Sequence, residues 1–318
     1  MRRDCLVWVL SSPTFSFLLY EPTMKICAAC SQELPKEKFS KKQWQLKQCR
    51  RCKECIAAKR EVRLEQPNEL EALPNDAPPL PSHADEDIFK QPPQNEECPI
   101  CMLLLPRETM ELRYQTCCGK LLCLGCMHAE LTENNRTICP FCRTPIHTSD
   151  GEYVESLMKR VHADDTWAMY NLGCDYYNGR MGLRQNLRKA MKLFLRAGEL
   201  GHTGAHCNVG YVYETGEGLE RDLRKAKHYY ELAAMGGHVK SRHNLSIHEQ
   251  RAGNMSRAVK HWMISAAAGH DKSLKNIQQC FLNGHVTKDD FEKALRAHKD
   301  AKDEMKSDQR DAAAQHYD

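Results

Sequence analysis

The sequence predicts a mainly α protein: an α/α solenoid of about four helix-hairpin repeats, preceded by two small metal-held modules. Three observations carry that expectation. A motif recurs about every 36 residues through the second half of the chain, and cysteines fall into close pairs through the first half. Between the two cysteine clusters lies a stretch too acidic and proline-rich to bury a core. The 318 residues are 41% hydrophobic and 28% charged, which suits a foldable chain of two or more domains. A formal net charge of +4 is too small by itself to mark a strong nucleic-acid binder.

The repeats set the fold. Repeat one carries Ala168, Leu172-Gly173, Tyr176, Gly179, Lys189-Ala190 and Gly201-His202. Repeat two answers with Ala205, Val209-Gly210, Tyr213, Gly216, Lys225-Ala226 and Gly237-His238. Repeat three keeps Ser241, Leu245, Arg257-Ala258 and Gly269-His270 with a loop shortened to "RAGN", and repeat four keeps Ser273, Ile277, Gly284 and Lys293-Ala294. Each unit reads as two antiparallel helices. Alanines such as Ala190 and Ala226 let the helices approach closely, and the Gly-His step closes the second helix. One hairpin cannot cover its own apolar face, so the units must stack. Thr287 with Asp290 three residues on opens a polar last helix, and the tail after it has little apolar surface and is expected to fray. His202, His238 and His270 are spread along the stack at equivalent positions, which points to a structural role at the junctions and not to a shared metal.

The motifs A-x-x-x-L-G-x-x-Y and K-A-x-x-x-x-x-x-A resemble Sel-like repeats, a subclass of the tetratricopeptide-like solenoids, over roughly residues 165–300. Ser246 replaces the first helix's glycine in repeat three, and Ser273 replaces the leading alanine in repeat four. The resemblance implies a scaffold that holds a substrate or partner protein on its surface.

Five segments follow along the chain. Residues 1–23 carry two arginines and a broken apolar run, which reads as an over-extended or disordered start, or else as a targeting segment. Residues 24–63 form a basic module with twelve Lys/Arg against four acids, and 64–97 an acidic linker with seven prolines that is expected to be disordered. Residues 98–146 form the second cysteine module, and 155–318 the solenoid. No stretch reaches the ~20 apolar residues of a membrane span, so no membrane partner is expected.

The cysteine pairs carry the chemistry. Two thiolates three residues apart can reach one ion from a tight turn, so pairs at this spacing read as zinc ligands. Thiols kept reduced for metal imply a cytoplasmic or nuclear setting. The second module holds Cys98/Cys101, Cys117/Cys118, Cys123/Cys126 and Cys139/Cys142, enough sulfur for two closed, structural zinc sites. The first module offers Cys27/Cys30, then Cys49, Cys52 and Cys55. One four-cysteine site needs two of those three, and spacing alone does not choose them. Three zinc ions are therefore expected per chain. No nucleophile–base pair, phosphate-cradling loop or paired carboxylate site stands out elsewhere.

The order pair–gap–pair–pair–gap–pair over residues 98–143 resembles the RING finger. That resemblance implies interleaved sites, Cys98, Cys101, Cys123 and Cys126 on one ion and Cys117, Cys118, Cys139 and Cys142 on the other. It departs at the second pair. Lys120 stands where a histidine ligand is usual, so either both adjacent thiols reach one zinc or His128 completes the set. The resemblance further implies a ubiquitin ligase without covalent catalysis, whose contacts with a ubiquitin-conjugating enzyme map to Ile100, Leu131, Pro140 and Arg143. The first module, through its cysteines and "FSKKQW", resembles a small zinc finger of an adaptor of RNA-interference-directed heterochromatin. That likeness implies Cys27, Cys30, Cys52 and Cys55 as ligands. Its basic residues with Trp44 leave a weak nucleic-acid contact as an added expectation.

Overall fold

In a computed structural model, the described residues are 24–26, 33–38, 53, 88–90, 96–106, 111–132 and 137–317. Strands β1 (Met24–Ile26) and β2 (Glu33–Pro35) pair antiparallel with Met24 opposite Pro35, and a 3-10 turn over Lys36–Lys38 follows. They belong to a compact unit of Val9–Asp76. A separate unit takes in the chain from Ala77 to Asp318.

That larger unit opens with the second cysteine module. Strands β3 (Leu112–Tyr114) and β4 (Leu121–Cys123) form an antiparallel hairpin with Leu112 opposite Cys123. Helix α1 (Leu124–Thr132) continues straight from β4. The module's core is small: Cys98, Leu105, Leu122, Cys123 and Cys126, with half-buried Leu112, Leu121 and Phe141 around them. So little apolar mass cannot hold a domain of this size together unaided.

Ten further helices complete the described chain. They are α2 (Asp150–His162), α3 (Thr166–Asn178), α4 (Leu187–Glu199), α5 (Thr203–Thr215), α6 (Leu223–Met235), α7 (Val239–Arg251), α8 (Met255–Ala267), α9 (Asp271–Leu282), α10 (Lys288–Met305) and α11 (Asp308–Tyr317). Pairs α3/α4, α5/α6 and α7/α8 are hairpins that pack on one another in order, and α10 closes over α8 and α9. The repeat alanines Ala168, Ala190, Ala205, Ala226 and Ala258 are all completely buried. In the middle of the first two hairpins the first helix presents Gly173 or Gly210 to an aromatic ring of the second. A β-carbon at these glycines would lie 2.6 Å from Phe194 and 2.8 Å from Tyr230.

The junctions explain the repeated Gly-His. Gly201, Gly237 and Gly269 have φ of 96°, 93° and 88°, a left-handed turn that favours glycine. The following histidine then serves two helices. Its backbone N–H bonds back to the preceding helix, His202 to the Ala197 carbonyl at 2.9 Å and His238 to the Ala233 carbonyl at 2.9 Å. Its ring Nδ1 accepts the third backbone N–H of the next helix: Ala205 at 3.1 Å, Ser241 at 3.2 Å and Ser273 at 3.2 Å. The histidine is thus the end of a Schellman motif and an N-cap at once.

Helix α2 precedes the first repeat and begins at Asp150, earlier than the helical pattern indicates. At its end Asp165 takes the histidine's place, with Oδ1 capping α3 through the N–H groups of Trp167 and Ala168, both at 3.1 Å. Its Oδ2 accepts from Tyr114 Oη at 2.7 Å and Arg160 Nε at 2.8 Å. Burial alone would raise the Asp165 carboxyl, but Tyr114, Arg160 and the capped amides hold it below its usual range. Tyr114 comes from β3, so this carboxylate fastens the cysteine module to the start of the solenoid.

One expectation needs correction. The last stretch does not fray: α11 is a helix packed along α1, with Ala313 fully buried. Arg310 there donates to the Leu104 carbonyl at 2.9 Å, so a tail poor in apolar side chains is held by a charged one. Within residues 64–97 the described ones are 88–90 and 96–97. Ile88 is 3% exposed, and the carbonyls of Ile88 and Lys90 accept from Arg242 of α7.

Candidate metal centres

The structure gathers the eight cysteines of the module into two groups, Cys98 with Cys101, Cys123 and Cys126, and Cys117 with Cys118, Cys139 and Cys142. Within each group all four sulfurs lie within 4.8 Å of one another, and none is in a disulfide. Two of the four loops that bring them together are built alike. In "CPIC" the Cys98 N–H bonds to the Leu103 carbonyl and the Met102 N–H to the Cys98 carbonyl, both at 2.8 Å. In "CPFC" the Cys139 N–H bonds to the Thr144 carbonyl at 2.8 Å and the Arg143 N–H to the Cys139 carbonyl at 3.0 Å. The residue after each second cysteine turns left-handed, Met102 at φ 58° and Arg143 at φ 60°.

The adjacent pair Cys117-Cys118 sits in the turn between β3 and β4. The Gly119 N–H bonds to the Gln115 carbonyl at 2.7 Å, and the Gln115 N–H to the Lys120 carbonyl at 2.8 Å. Gly119 at φ 75° allows the tight reversal. Both sulfurs therefore reach one group, Cys118 Sγ 3.8 Å from Cys139 Sγ and Cys117 Sγ 3.3 Å from Cys142 Sγ. Lys120 instead extends toward the Phe141 ring, 5.8 Å from its centroid. His128 lies on α1 with its ring 5.0 Å from that of His316, and it is in neither group.

The spacing fits a tetrahedral metal. Bonds of about 2.3 Å from sulfur to zinc would put neighbouring sulfurs about 3.8 Å apart. Cys98–Cys126, Cys101–Cys123 and Cys118–Cys139 are each separated by 3.8 Å. The electrostatics point the same way. Burial and the neighbouring Cys123 push the Cys126 thiol well above its ordinary value, and burial with Cys142 and Cys139 does the same to Cys117. In each group one thiol is low: Cys142 at about 6, mainly through the Thr144 hydroxyl, and Cys98 at about 7, where backbone N–H groups outweigh burial. Four thiolates cannot crowd together unless a cation neutralises them, so the residues present suit a divalent metal.

Of the positions tied to a conjugating enzyme by resemblance, Ile100 and Arg143 are exposed, one on each knuckle. Pro140 is half-buried on the second knuckle, and Leu131 is half-buried near the end of α1. Cys27, Cys30, Cys49, Cys52, Cys55 and Trp44 lie outside the described residues. Sequence reasoning missed Tyr114, Arg160, Asp165 and Arg310, which fasten the module to the solenoid. Their partners are far off in sequence and follow no period. No described helix is long and apolar enough to cross a membrane.

The Sel1 repeat family model matches residues 168–202, 203–238 and 279–296, and the helical hairpins form a solenoid of that type. Those three stretches are similar to Sel1 repeats and cover under a third of the chain. Among curated relatives, it is 28% identical over 113 residues to "ERAD-associated E3 ubiquitin-protein ligase component HRD3B" of Arabidopsis thaliana, covering 35% of this chain and 18% of that one. It is 38% identical over 92 residues to "Cytochrome c oxidase assembly factor 7" of Homo sapiens, covering 27% of this chain and 38% of that one. The chain thus spans well under half the length of either relative. Among solved structures, a Sel1 repeat protein from Oxalobacter formigenes aligns with a TM-score of 0.43 at 22% identity, covering 57% of this chain and 71% of that one. The c5321 antigen of uropathogenic Escherichia coli aligns at 0.41 and 27% identity, covering 48% and 33%.

Proposed function

We propose that this protein is a zinc-held RING-type ubiquitin ligase or adaptor, in which the cysteine module recruits a ubiquitin-conjugating enzyme and the Sel1-type solenoid holds the substrate or partner protein. The observation that carries the reading is the pair of interleaved four-cysteine groups with Ile100, Pro140 and Arg143 on their knuckles. The plant relative, named as a ubiquitin-ligase component, adds support along the solenoid.

Zinc supplies structure here and performs no reaction. Cys98, Cys101, Cys123 and Cys126 would hold one ion, and Cys117, Cys118, Cys139 and Cys142 the second. A third is expected on Cys27, Cys30, Cys52 and Cys55. The chain's own part in ubiquitin transfer is positioning: Ile100, Leu131 and Pro140 offer apolar contact to the conjugating enzyme. The Arg143 guanidinium donates several bonds from one plane and can order the thioester-linked ubiquitin for attack. A cytoplasmic or nuclear setting would keep the thiols reduced.

The assay is ubiquitin conjugation with a panel of conjugating enzymes. The wild type should raise conjugation above background with at least one of them, and Arg143→Ala should lower it at least tenfold with zinc content unchanged. Background activity across the whole panel would leave the competing reading, a non-enzymatic zinc scaffold for protein or RNA. One observation favours that competitor: α11 packs along α1, the helix that carries Leu131. Metal analysis of the purified chain should find three zinc ions.

A further inference from the structure

Arg242 is a buried cation that the repeat does not require. Met169 and His206 stand at the corresponding positions of the first two hairpins. Its side chain is 1% exposed, and although burial lowers its pKa to about 10, it stays charged at neutral pH. Among the described residues no carboxylate pairs with it. Its guanidinium donates instead to two main-chain oxygens, Nη1 to Ile88 at 2.7 Å and Nη2 to Lys90 at 2.8 Å. Nε, also buried, has no partner. Holding a charge on peptide carbonyls alone is an expensive way to staple a linker, but it reads a peptide backbone whatever its side chains.

The side chains between those carbonyls are read as well. The Phe89 ring lies 4.6 Å from that of His261, and the Arg257 and Lys260 cations of α8 stand 5.2 and 5.3 Å from its centroid. Arg257 is also steered by Glu249, whose carboxylate is 3.4 Å away. Cations over an aromatic face attract it electrostatically. The residues just ahead of Ile88 in sequence, Asp85-Glu86-Asp87, match the basic character of this helix pair.

We propose that the α7/α8 face around Arg242 is a peptide-docking site of the solenoid. It takes an extended, acidic-flanked Ile-Phe segment, and the chain's own Ile88–Lys90 is a resident ligand that a partner protein's segment of the same chemistry displaces. The resident acts as a tethered competitor. Seven residues separate Lys90 from Cys98, and a short tether gives an effective concentration on the order of 1 mM. Segments binding at tens of micromolar would therefore be held off by tenfold or more. This deepens the scaffold reading of the solenoid and is independent of ligase activity, because its test contains no ubiquitin machinery.

The test uses the full chain and a fluorescently labelled peptide of residues 84–93, ADEDIFKQPP, followed by polarisation. A chain carrying Ile88→Ser and Phe89→Ala, which vacates the site, should bind the peptide at least tenfold more tightly than the wild type does. Adding Lys260→Glu, an exchange at the rim of the site, should reverse most of that gain, and Arg242→Gln should abolish it with the helical circular dichroism retained. If the vacated chain binds no more tightly than the wild type, or binds a peptide with Phe→Ala equally well, the segment is a permanent staple and the proposal is wrong. Binding by the vacated chain with no ligase activity would remove the ligase reading and leave this one standing.

Discussion

The capping histidines show how one side chain can link stability to pH. His202, His238 and His270 accept through Nδ1, so each works as a cap only while that nitrogen is unprotonated. Burial lowers their pKa to about 3 for His202 and about 4 for His238 and His270. An unfolded histidine titrates near 6.5, so between pH ~6.5 and ~4 the unfolded chain binds more protons. The contribution of the caps is therefore complete above pH ~6.5 and is lost as the pH falls toward ~4. Urea midpoints followed at 222 nm should drop from pH 7.5 to pH 5.5, and by less in His238→Asn, which keeps an N-cap acceptor with no proton to gain. His238→Ala should cost about 1 kcal/mol at pH 7.5. An unchanged midpoint in the alanine variant would remove the capping role. The serines at the alanine positions of repeats three and four belong to the same device: Ser241 Oγ lies 2.9 Å from His238 Nδ1, and Ser273 Oγ lies 3.0 Å from His270 Nδ1 and 2.9 Å from His243 Nδ1. The sequence marked these histidines as junction residues through their spacing, but which helix each serves depends on backbone angles that no residue pattern records.

Between elements, the first two hairpins are each set by a small residue facing a ring. Gly173 faces Phe194 and Gly210 faces Tyr230, and Trp262, 1% exposed, holds the corresponding place in the third hairpin. Gly210→Ala would force a β-carbon to within 2.8 Å of the Tyr230 ring and 3.1 Å of the Ala226 carbonyl. It should lose about 1–3 kcal/mol in a urea titration, although alanine is the better helix former. A neutral or stabilising result would show that the two helices separate without cost. Helix pairing was legible because glycine and alanine recur with a period. The third hairpin was harder to read: Ser246 replaces the glycine, and its hydroxyl turns back to the His243 carbonyl at 2.5 Å. Apolar content does not reveal helix α11, because Arg310 supplies its anchorage through hydrogen bonds.

Across the whole molecule, the cysteine module touches both ends of the solenoid. Tyr114 and the Thr116 carbonyl meet Asp165 and Ser156 at its start, and α1 with Leu104 meets α11 at its end. Removing metal should therefore weaken helices that contain no metal ligand. Chelation with EDTA or a tighter chelator should lower the thermal midpoint read at 222 nm, and zinc should restore it. Tyr114→Phe, which removes one bond to the Asp165 carboxylate, should cost about 1–2 kcal/mol in the metal-loaded chain and close to nothing in the stripped one. A midpoint indifferent to chelation would mean that the module and the solenoid are energetically separate. The cysteine spacing made the two sulfur groups legible, yet it said nothing of this attachment, which rests on a tyrosine, two arginines and an aspartate scattered over almost 200 residues.

A linear stack of repeats ordinarily unravels from its termini, since each end unit has one neighbour and the inner ones have two. Here neither terminus is free, because the first helix and the last are pinned to the same small body. The stack behaves as a closed circuit, and opening it anywhere means breaking an inner interface. Its melting should accordingly be sharp while the sulfur groups are loaded, and should broaden into stepwise loss of end repeats once they are emptied.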